Sequence, residues 1–194
     1  MGAIKLLALI TTLALVAAAG TAWAAEETLV SGEFESGFFG GPSLKYSQVG
    51  EGWVLLVGGR GGWIINHALV LGGGFCGTIP GAYVIDDTVE RDIEMEYGGF
   101  EIEYTVNSPK LLHYSFGLLI GGGKVNYSPY DGPWVQSSFF VAEPAANVEL
   151  NVVSFFRINL GLGYRFAAGG EVEAITDGDL SGIAPTLTFK FGSF

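Results

Sequence analysis

The sequence predicts an all-β protein, an antiparallel up-and-down barrel of eight strands that crosses a membrane. Three observations predict it. Apolar and polar residues alternate with a period of two through most of the chain, without a convincing helical period. The alternating segments number eight, and the connections between them are mostly short and long in turn. The clearest segment has an apolar face with aromatic residues at both ends and a polar face of glycine and arginine.

An export signal precedes the predicted barrel. Met1 to Lys5 is a short basic start, an apolar run follows over 6–18, and Ala22-Trp23-Ala24 fits the small-x-small rule for cleavage. We therefore expect a cleaved signal peptide over 1–24, an N-terminal segment of unclear structure over 25–41 and the β-barrel over 42–194. A membrane anchor is the alternative, but a helix that spans the bilayer needs roughly 20 apolar residues.

Composition and charge exclude several classes of protein. Charged residues make up only 15% of the 194 residues, and the mean hydropathy of +0.41 is too apolar for a disordered chain. A single Cys excludes an internal disulfide framework and a zinc site built from cysteines. The net charge of −11 has the wrong sign for a nucleic-acid-binding protein. No cofactor and no metal site are expected.

The eight predicted strands are separated by turn residues and by glycine. Their ranges are 42–49, 52–66, 68–79, 94–106, 111–127, 136–150, 155–167 and 184–194. Glycine clusters within strands predict bulges or sharp bends at 58–62, 72–74 and 121–123, and Pro144 predicts a bulge or an exposed turn. Apart from the short first connection, tight turns alternate with the longer connections 80–93, 128–135 and 168–183. A membrane barrel has short periplasmic turns and long extracellular loops.

The segment 155–167 indicates which face of the sheet is the inner one. Its polar face carries two glycines between Arg157 and Arg165, and such a mixture of small and long side chains suits a narrow lumen. Glycines on a surface that faces water would only weaken the strand. Aromatic residues at both ends of the apolar face, Phe156 and Phe166 among them, match the belts at membrane interfaces. A soluble barrel that binds an apolar ligand, with its apolar face inside, is the alternative.

The mature chain resembles the small eight-stranded outer-membrane β-barrels of bacteria. The residues that carry the resemblance are Phe-Gly-Gly-Pro at 39–42, the Gly-Arg-Gly-Gly-Trp stretch within 57–67, and 155–166. Phe194 matches the aromatic residue on which such barrels commonly end, although it is out of phase with Phe191. Within this class the chain looks most like a group of secreted barrels. The resemblance implies a place in the outer membrane, in contact with its lipid, and no activity.

Charged side chains of both signs are expected to fill the lumen. Opposite charges in a narrow barrel neutralise one another, and each pair must offset its desolvation through close hydrogen-bonded geometry. A tight turn at 151–154 places Glu149 opposite Arg157. An ion path is the alternative interpretation, but eight strands leave no open pore. The predicted members of this ionic network are Lys45, Arg60, Glu101, Glu103, Glu149, Arg157, Arg165 and Lys190.

One constellation contains the residue types of acyl-transfer chemistry. Ser115, His113 and Glu103 supply a nucleophile, a base and an acid, and predicted pairing puts Glu103 opposite Ser115 and Thr105 opposite His113. The His-x-Ser sequence also resembles that of lipid A deacylase barrels, whose catalytic group faces lipid. Here the residues point into the lumen beside a turn predicted to be periplasmic, so a lipid-modifying enzyme is only the alternative.

Acidic residues are concentrated in a predicted loop at 86–96. Carboxylates at alternating positions can bind divalent cations or an extracellular partner, but the spacing of an EF-hand is absent. We interpret them as a solvated acidic surface. The predicted function is therefore that of a non-enzymatic outer-membrane barrel with a plugged lumen and acidic extracellular loops, in a structural or surface-interaction role. The acidic residues are Asp86, Asp87, Glu90, Asp92, Glu94 and Glu96.

The predicted class can be tested by cell fractionation. We expect the mature protein in the outer-membrane fraction, extractable only with detergent. Its mobility in gel electrophoresis should change on boiling, because a closed barrel resists unfolding until it is heated. Recovery in the soluble periplasmic fraction, with one mobility before and after heating, would support the soluble barrel instead.

Overall fold

A computed structural model describes residues 35–50, 52–80, 82–86, 89–128, 135–170 and 175–194. The predicted signal peptide lies outside them. In the described ranges no helix is long and apolar enough to cross a membrane. The elements of these ranges are β1 (Ser36–Val49), β2 (Gly52–Ile65), β3 (Leu69–Thr78), β4 (Tyr83–Asp86), β5 (Val89–Val106), β6 (Leu112–Ser128), β7 (Val135–Val153), β8 (Phe156–Ala168), α1 (Asp177–Leu180) and β9 (Gly182–Ser193).

Eight of these strands close into an antiparallel barrel. Each strand pairs with the next in the chain, except that β3 pairs with β5, and β9 returns to pair with β1. The short strand β4 lies outside the ring and forms a hairpin with the start of β5. Closure pairs the strand edges with one another, which is the condition under which strands can cross hydrocarbon. The predicted fold class is confirmed.

The register advances around the ring. A path that starts at Phe38 and moves to the register partner on each next strand goes around the ring and returns to β1. It arrives there at Gln48, ten residues further along the chain. Such a stagger requires strands tilted by roughly 35–45° from the barrel axis. Side chains at one height therefore come from residues that are not register partners. The residues on this path are Trp63, Leu71, Ile102, Leu118, Pro144, Tyr164 and Ile183.

The two ends of the barrel differ. At the end we call lower, the turns after β2, β5 and β7 are short, and Asn66 and His67 make the first of them with φ of 49° and 54°. At the upper end β1 and β2 are joined closely, while longer segments follow β3, β6 and β8. One of these, predicted as the loop 80–93, is instead largely the hairpin of β4 and β5.

The first strand begins at Ser36, six residues before the predicted start of the barrel at 42. The sequence hides this start because glycine has no side chain that could show the alternation. Gly41 also has a packing role, since a Cβ there would collide with the backbone of Phe189 on β9. The predicted boundary between 25–41 and the barrel therefore falls inside β1.

The bulges predicted at glycine clusters and at Pro144 are wrong. β5 and β6 keep one register across Gly121–Gly123, and β2 keeps one register with both of its neighbours. β7 likewise passes Pro144 without a shift, and an irregularity occurs between Asn151 and Val153. Val125, which follows the last of these clusters, lies on the inner face, where the lumen is apolar.

The predicted facing of β8 is confirmed by burial. Arg157, Asn159 and Arg165 are at most 9% exposed, whereas Leu160 and Leu162 are each 59% exposed. An apolar outer face and a polar inner face do not fit a soluble barrel with an apolar interior. Exposed aromatic residues lie toward both ends. We call Tyr46, Trp53, Phe140, Tyr164 and Phe166 the upper belt, and Phe38, Trp63, Tyr104, Tyr114 and Phe191 the lower belt.

Facing can be tested by placing a charge on the outer surface. Leu160 lies midway along β8, and Leu160→Lys should lower the free energy of unfolding in lipid vesicles by about 2–4 kcal/mol. Ala168→Lys, at the upper end of the same strand, is the matched control and should cost about 0–1 kcal/mol. Equal losses in urea titrations of the two variants would contradict the assigned depth.

Candidate functional site: the lumen network

The lumen is filled in three layers. Phe39, Ile64 and Val70 close the lower end, packed against the inward-turned Phe194. Charged and amide side chains occupy the middle. An apolar cluster fills the upper part and consists of Val49, Val54, Leu56, Cys76, Ile93, Met95, Tyr97, Val125, Phe139, Val141, Ile175 and Leu180.

Lys190 is the centre of the charged layer. Its Nζ donates to Oε1 of Glu103 at 2.6 Å and also to Oε1 of Glu149. All three side chains are at most 3% exposed. Because the strands are tilted, Lys190 on β9 reaches Glu149 on β7, although its register partner on the intervening β8 is Arg157. One ammonium therefore holds two buried carboxylates together.

The network continues through Arg60 on β2. Its Nη2 lies 2.6 Å from Oε2 of Glu103 and 2.5 Å from Oε1 of Glu101. Amide side chains provide further donors, since Asn159 donates to Glu149 at 2.9 Å and Asn147 donates to Glu103 at 3.4 Å. The buried carboxylates thus receive several hydrogen bonds, as buried charges require.

Glycines on the inner face make room for these long side chains. A Cβ at Gly161 would collide with the amide of Asn147, and a Cβ at Gly117 would touch Glu101 and Glu103. Small residues next to charged ones therefore have a direct geometric role in this layer.

A further ion pair, between Lys45 and Glu143, lies above the layer around Lys190. Nζ of Lys45 donates to Oε1 of Glu143 and, at 3.0 Å, to the hydroxyl of Tyr97, which itself donates to Oε2 of Glu143 at 2.6 Å. Sequence reasoning missed Glu143 and Tyr97. The alternation of the strand could have revealed Glu143, because it lies six residues before Glu149 and therefore on the same face of β7. The neighbouring Pro144 obscured this alternation.

Arg165 holds groups at the upper end of the barrel together through hydrogen bonds to one hydroxyl and two carbonyl groups. It donates to Ser47 Oγ at 2.7 Å, to the Gln48 carbonyl at 2.8 Å and to the Leu180 carbonyl at 2.5 Å. Leu180 ends the short helix α1 and is fully buried in the apolar cluster. A capping box between Thr176 and Asp179 begins that helix. Arg165 was predicted as a member of the ionic network. The structure places it instead between β1 and the end of α1.

The predicted pairing of Glu149 with Arg157 is wrong by two residues. Glu149 pairs with Asn159, and Arg157 pairs with Asn151, because the turn lies at 154–155 and follows the irregularity in β7. Nη1 of Arg157 remains 3.8 Å from Oε2 of Glu149. Its guanidinium lies over the ring of Phe194, 4.0 Å from the centroid.

The structure brings His113 and Ser115 to one carboxylate, but that carboxylate is not Glu103. Nε2 of His113 lies 3.3 Å from Oε2 of Glu149, and Ser115 donates to Oε1 of Glu149 at 3.4 Å. The predicted pairing of Glu103 with Ser115 is wrong by two residues, since Thr105 is the partner of Ser115. Among the hydrogen bonds of the described chain, none joins Ser115 to His113. Both side chains are buried near the lower end and cannot reach lipid.

The acidic segment 86–96 is described only in part. Asp87 lies outside the described residues; Asp86 is in β4, and Glu90 and Asp92 are in β5. Glu94 and Glu96 are exposed on β5. No group of three or more metal-ligating side chains occurs in the ranges covered by the structure.

The closed ring of eight antiparallel strands and its apolar outer face define the chain as a small eight-stranded transmembrane β-barrel of the outer-membrane type. No protein-family model and no curated sequence matches it. Among solved structures it is similar to Neisserial surface protein A (NspA), with a TM-score of 0.57 and 12% identity over 84% of this chain and 99% of that one.

A second similar structure is Ail, the attachment invasion locus protein of Yersinia pestis. The TM-score is 0.50, with 16% identity over 83% of this chain and 99% of that one. Ail in complex with the heparin analogue sucrose octasulfate matches equally, covering 98% of that chain. At these identities the similarity concerns the fold.

Lys190 can be tested as the centre of the ionic layer. Lys190→Met leaves the carboxylates of Glu103 and Glu149 without their shared cation, and removal of one partner from a buried pair costs about 3–5 kcal/mol. Urea unfolding in lipid vesicles measures this loss. Glu149→Gln in the same background should recover part of it, whereas additive losses would mean that the two groups do not interact.

The position of His113 and Ser115 predicts no effect on lipid A. His113→Ala and Ser115→Ala should leave the acylation pattern of host lipid A unchanged, because neither side chain faces the membrane. Mass spectrometry of extracted lipid A provides the measurement. Loss of an acyl chain with the native protein, absent with both variants, would restore the enzyme alternative.

Proposed function

We propose that the protein is a non-enzymatic barrel of the bacterial outer membrane that presents acidic extracellular loops on a scaffold with a plugged lumen. The observation that carries this proposal is the filling of the lumen by side chains from one end to the other. A barrel filled in this way leaves no open path for solutes. Binding then belongs to the connections at the upper end, because binding residues concentrate on loops that a rigid scaffold positions.

Opposite charges in the described part of the lumen support a plug. Four basic side chains, Lys45, Arg60, Arg157 and Lys190, lie within ion-pair distance of four carboxylates, Glu101, Glu103, Glu143 and Glu149. The cavity that they leave near Lys45 and Arg60 has a volume of about 50 Å³. This volume is far below the roughly 300–1,000 Å³ that is usual for small-molecule sites.

Orientation follows from the two ends. The start of β1 and the end of β9 lie at the lower end, where Phe38 pairs with Ser193, together with the three short turns. Short turns are periplasmic in outer-membrane barrels. The acidic segment 86–96 then belongs to the extracellular side.

The sign of the charge suggests the kind of partner. Ail was solved with a heparin analogue, sucrose octasulfate, which is polyanionic. This chain has a net charge of −11, and its acidic segment contains one basic residue, Arg91. Like charges repel across an interface. We therefore propose a cationic partner, or a partner bridged by divalent cations, rather than a sulfated polysaccharide.

Binding to intact cells tests this proposal. Cells that display the native protein should bind a fluorescent polylysine peptide, and added salt should weaken this binding. A variant with Asp86→Asn, Asp87→Asn, Glu90→Gln and Asp92→Asn should bind about tenfold less. Labelled heparin should bind neither form.

Glu35→Gln provides the matched control, since Glu35 is an exposed carboxylate at the lower end. It should bind polylysine like the native protein when the surface amounts are equal. Binding of heparin, or equal binding of polylysine by the four-amide variant, would contradict the proposed role of the acidic segment.

A further inference from the structure

Four apolar side chains lie exposed on and beside two turns at the lower end of the barrel. Leu111, in the turn after β5, is 69% exposed, and Phe155, in the turn after β7, is 61% exposed. Val152 and Val153, at the end of β7, are about half-exposed. We call these four residues the lower patch. A contiguous apolar surface of this kind marks a place that another molecule covers.

Hydrogen bonds hold the two turns together as one surface. The side-chain amide of Asn151 donates to the carbonyl of Ser108 at 2.9 Å and to the carbonyl of Lys110 at 2.8 Å. Its backbone N–H donates to the carbonyl of Leu111 at 2.9 Å. The apolar side chains of the lower patch are therefore presented from a common support rather than from two independent loops.

The third short turn, on the other side of the lower end, is polar. It follows β2 and carries His67, which forms an ion pair with Glu35 at the start of β1. Both of these side chains are exposed. The described part of the lower end is thus apolar below β5, β6, β7 and β8, and charged below β1, β2 and β3.

The apolar band of the outer wall is short above the lower patch. From Trp53 to Trp63, the first and last apolar side chains on the outer face of β2, it covers roughly 25 Å at a tilt of about 40°, which matches a band of about 25 Å. From Phe100 to Val106 on β5 it covers only roughly 15 Å. Above Phe100 come a glycine and then the exposed Glu96. The missing length can be supplied only at the lower end, where the lower patch continues the band beyond β5 and β6.

A cation borders the lower patch. Lys110 is exposed beside Leu111 and belongs to none of the ion pairs of the described chain. A lysine at the edge of an apolar surface can bury its aliphatic stem and extend its ammonium toward a headgroup. Apolar side chains next to a cation complement a lipid leaflet, whose hydrocarbon lies beneath phosphate groups.

We propose that the lower patch inserts into the lipid leaflet at the lower end of the barrel, where Lys110 binds a lipid phosphate. The partner is the phospholipid surface, and the barrel is anchored in it more deeply below β5–β8 than below β1–β3. An anchor on one side fixes the tilt of the barrel in the membrane. Only the name of this leaflet, the periplasmic one, rests on the orientation proposed above, and the insertion itself does not.

Nitroxide spin labels on the mature protein in vesicles of phosphatidylethanolamine and phosphatidylglycerol test the insertion. Cys76→Ala removes the native thiol, and Leu111→Cys, Phe155→Cys or Glu35→Cys then provides one labelling site at the lower end. Oxygen concentrates in hydrocarbon, whereas a polar nickel chelate, supplied on both sides of the bilayer, stays in water. The ratio of the two collision rates should therefore be about fivefold higher at 111 and 155 than at the control position 35.

Lys110→Glu tests the phosphate contact, since a carboxylate there repels lipid phosphate. It should lower the ratio at 111 toward the value at 35, whereas Lys124→Glu, at the upper end, should leave that ratio unchanged. Heat-modifiable mobility verifies that each variant is folded, and Val153→Cys replaces Leu111→Cys if the latter does not fold.

Three results would overturn the proposal. One is an equal ratio at 111, 155 and 35 in folded protein, and another is an unchanged ratio at 111 in Lys110→Glu. The third is protection from the nickel chelate in whole outer membranes but not in vesicles, which would assign the lower patch to a protein partner.

Discussion

A chain in hydrocarbon can satisfy its backbone hydrogen bonds only with itself, and the pairing of β3 with β5 completes this condition. Without that pairing the sheet would have two open edges inside the membrane. Closure with a stagger of ten residues then sets the tilt of every strand. The tilt decides which inward side chains meet at one height, and so the composition of the lumen follows from the closure of the ring.

The ionic layer depends on this tilt. Lys190 on β9 binds Glu103 on β5 and Glu149 on β7, neither of which is a hydrogen-bonded neighbour of β9, and Arg60 reaches Glu103 from two strands away. A charge buried without a partner is strongly destabilising. The loss of one member of the layer therefore leaves another charge uncompensated. The apolar layers above and below it keep water away from these pairs.

Glycine has different uses on the two faces of the wall. On the inner face, Gly117 and Gly161 provide space for carboxylates and for the amide of Asn147. On the outer face, Gly77, Gly98 and Gly122 interrupt the upper belt and form the floor of a groove. Neither use needs a bulge, because a glycine that keeps its place in the ladder changes the volume beside the sheet without changing the register. This is why glycine clusters were misleading as signals of irregular pairing.

The facing of β8 was determined by the sequence alone, because the period of two is local: Arg157 and Leu160 differ in phase whatever pairs with them. The same reasoning identified the eight strands, the polar lumen and eight charged residues as candidates for its filling. Which charges meet was decided only by the tertiary structure. A turn displaced by a residue or two moves every partner across a strand pair, as happened for Glu149 with Arg157 and for Glu103 with Ser115. The meeting of Lys190 with Glu149 depends on the tilt, which is a property of the closed ring and of no single strand.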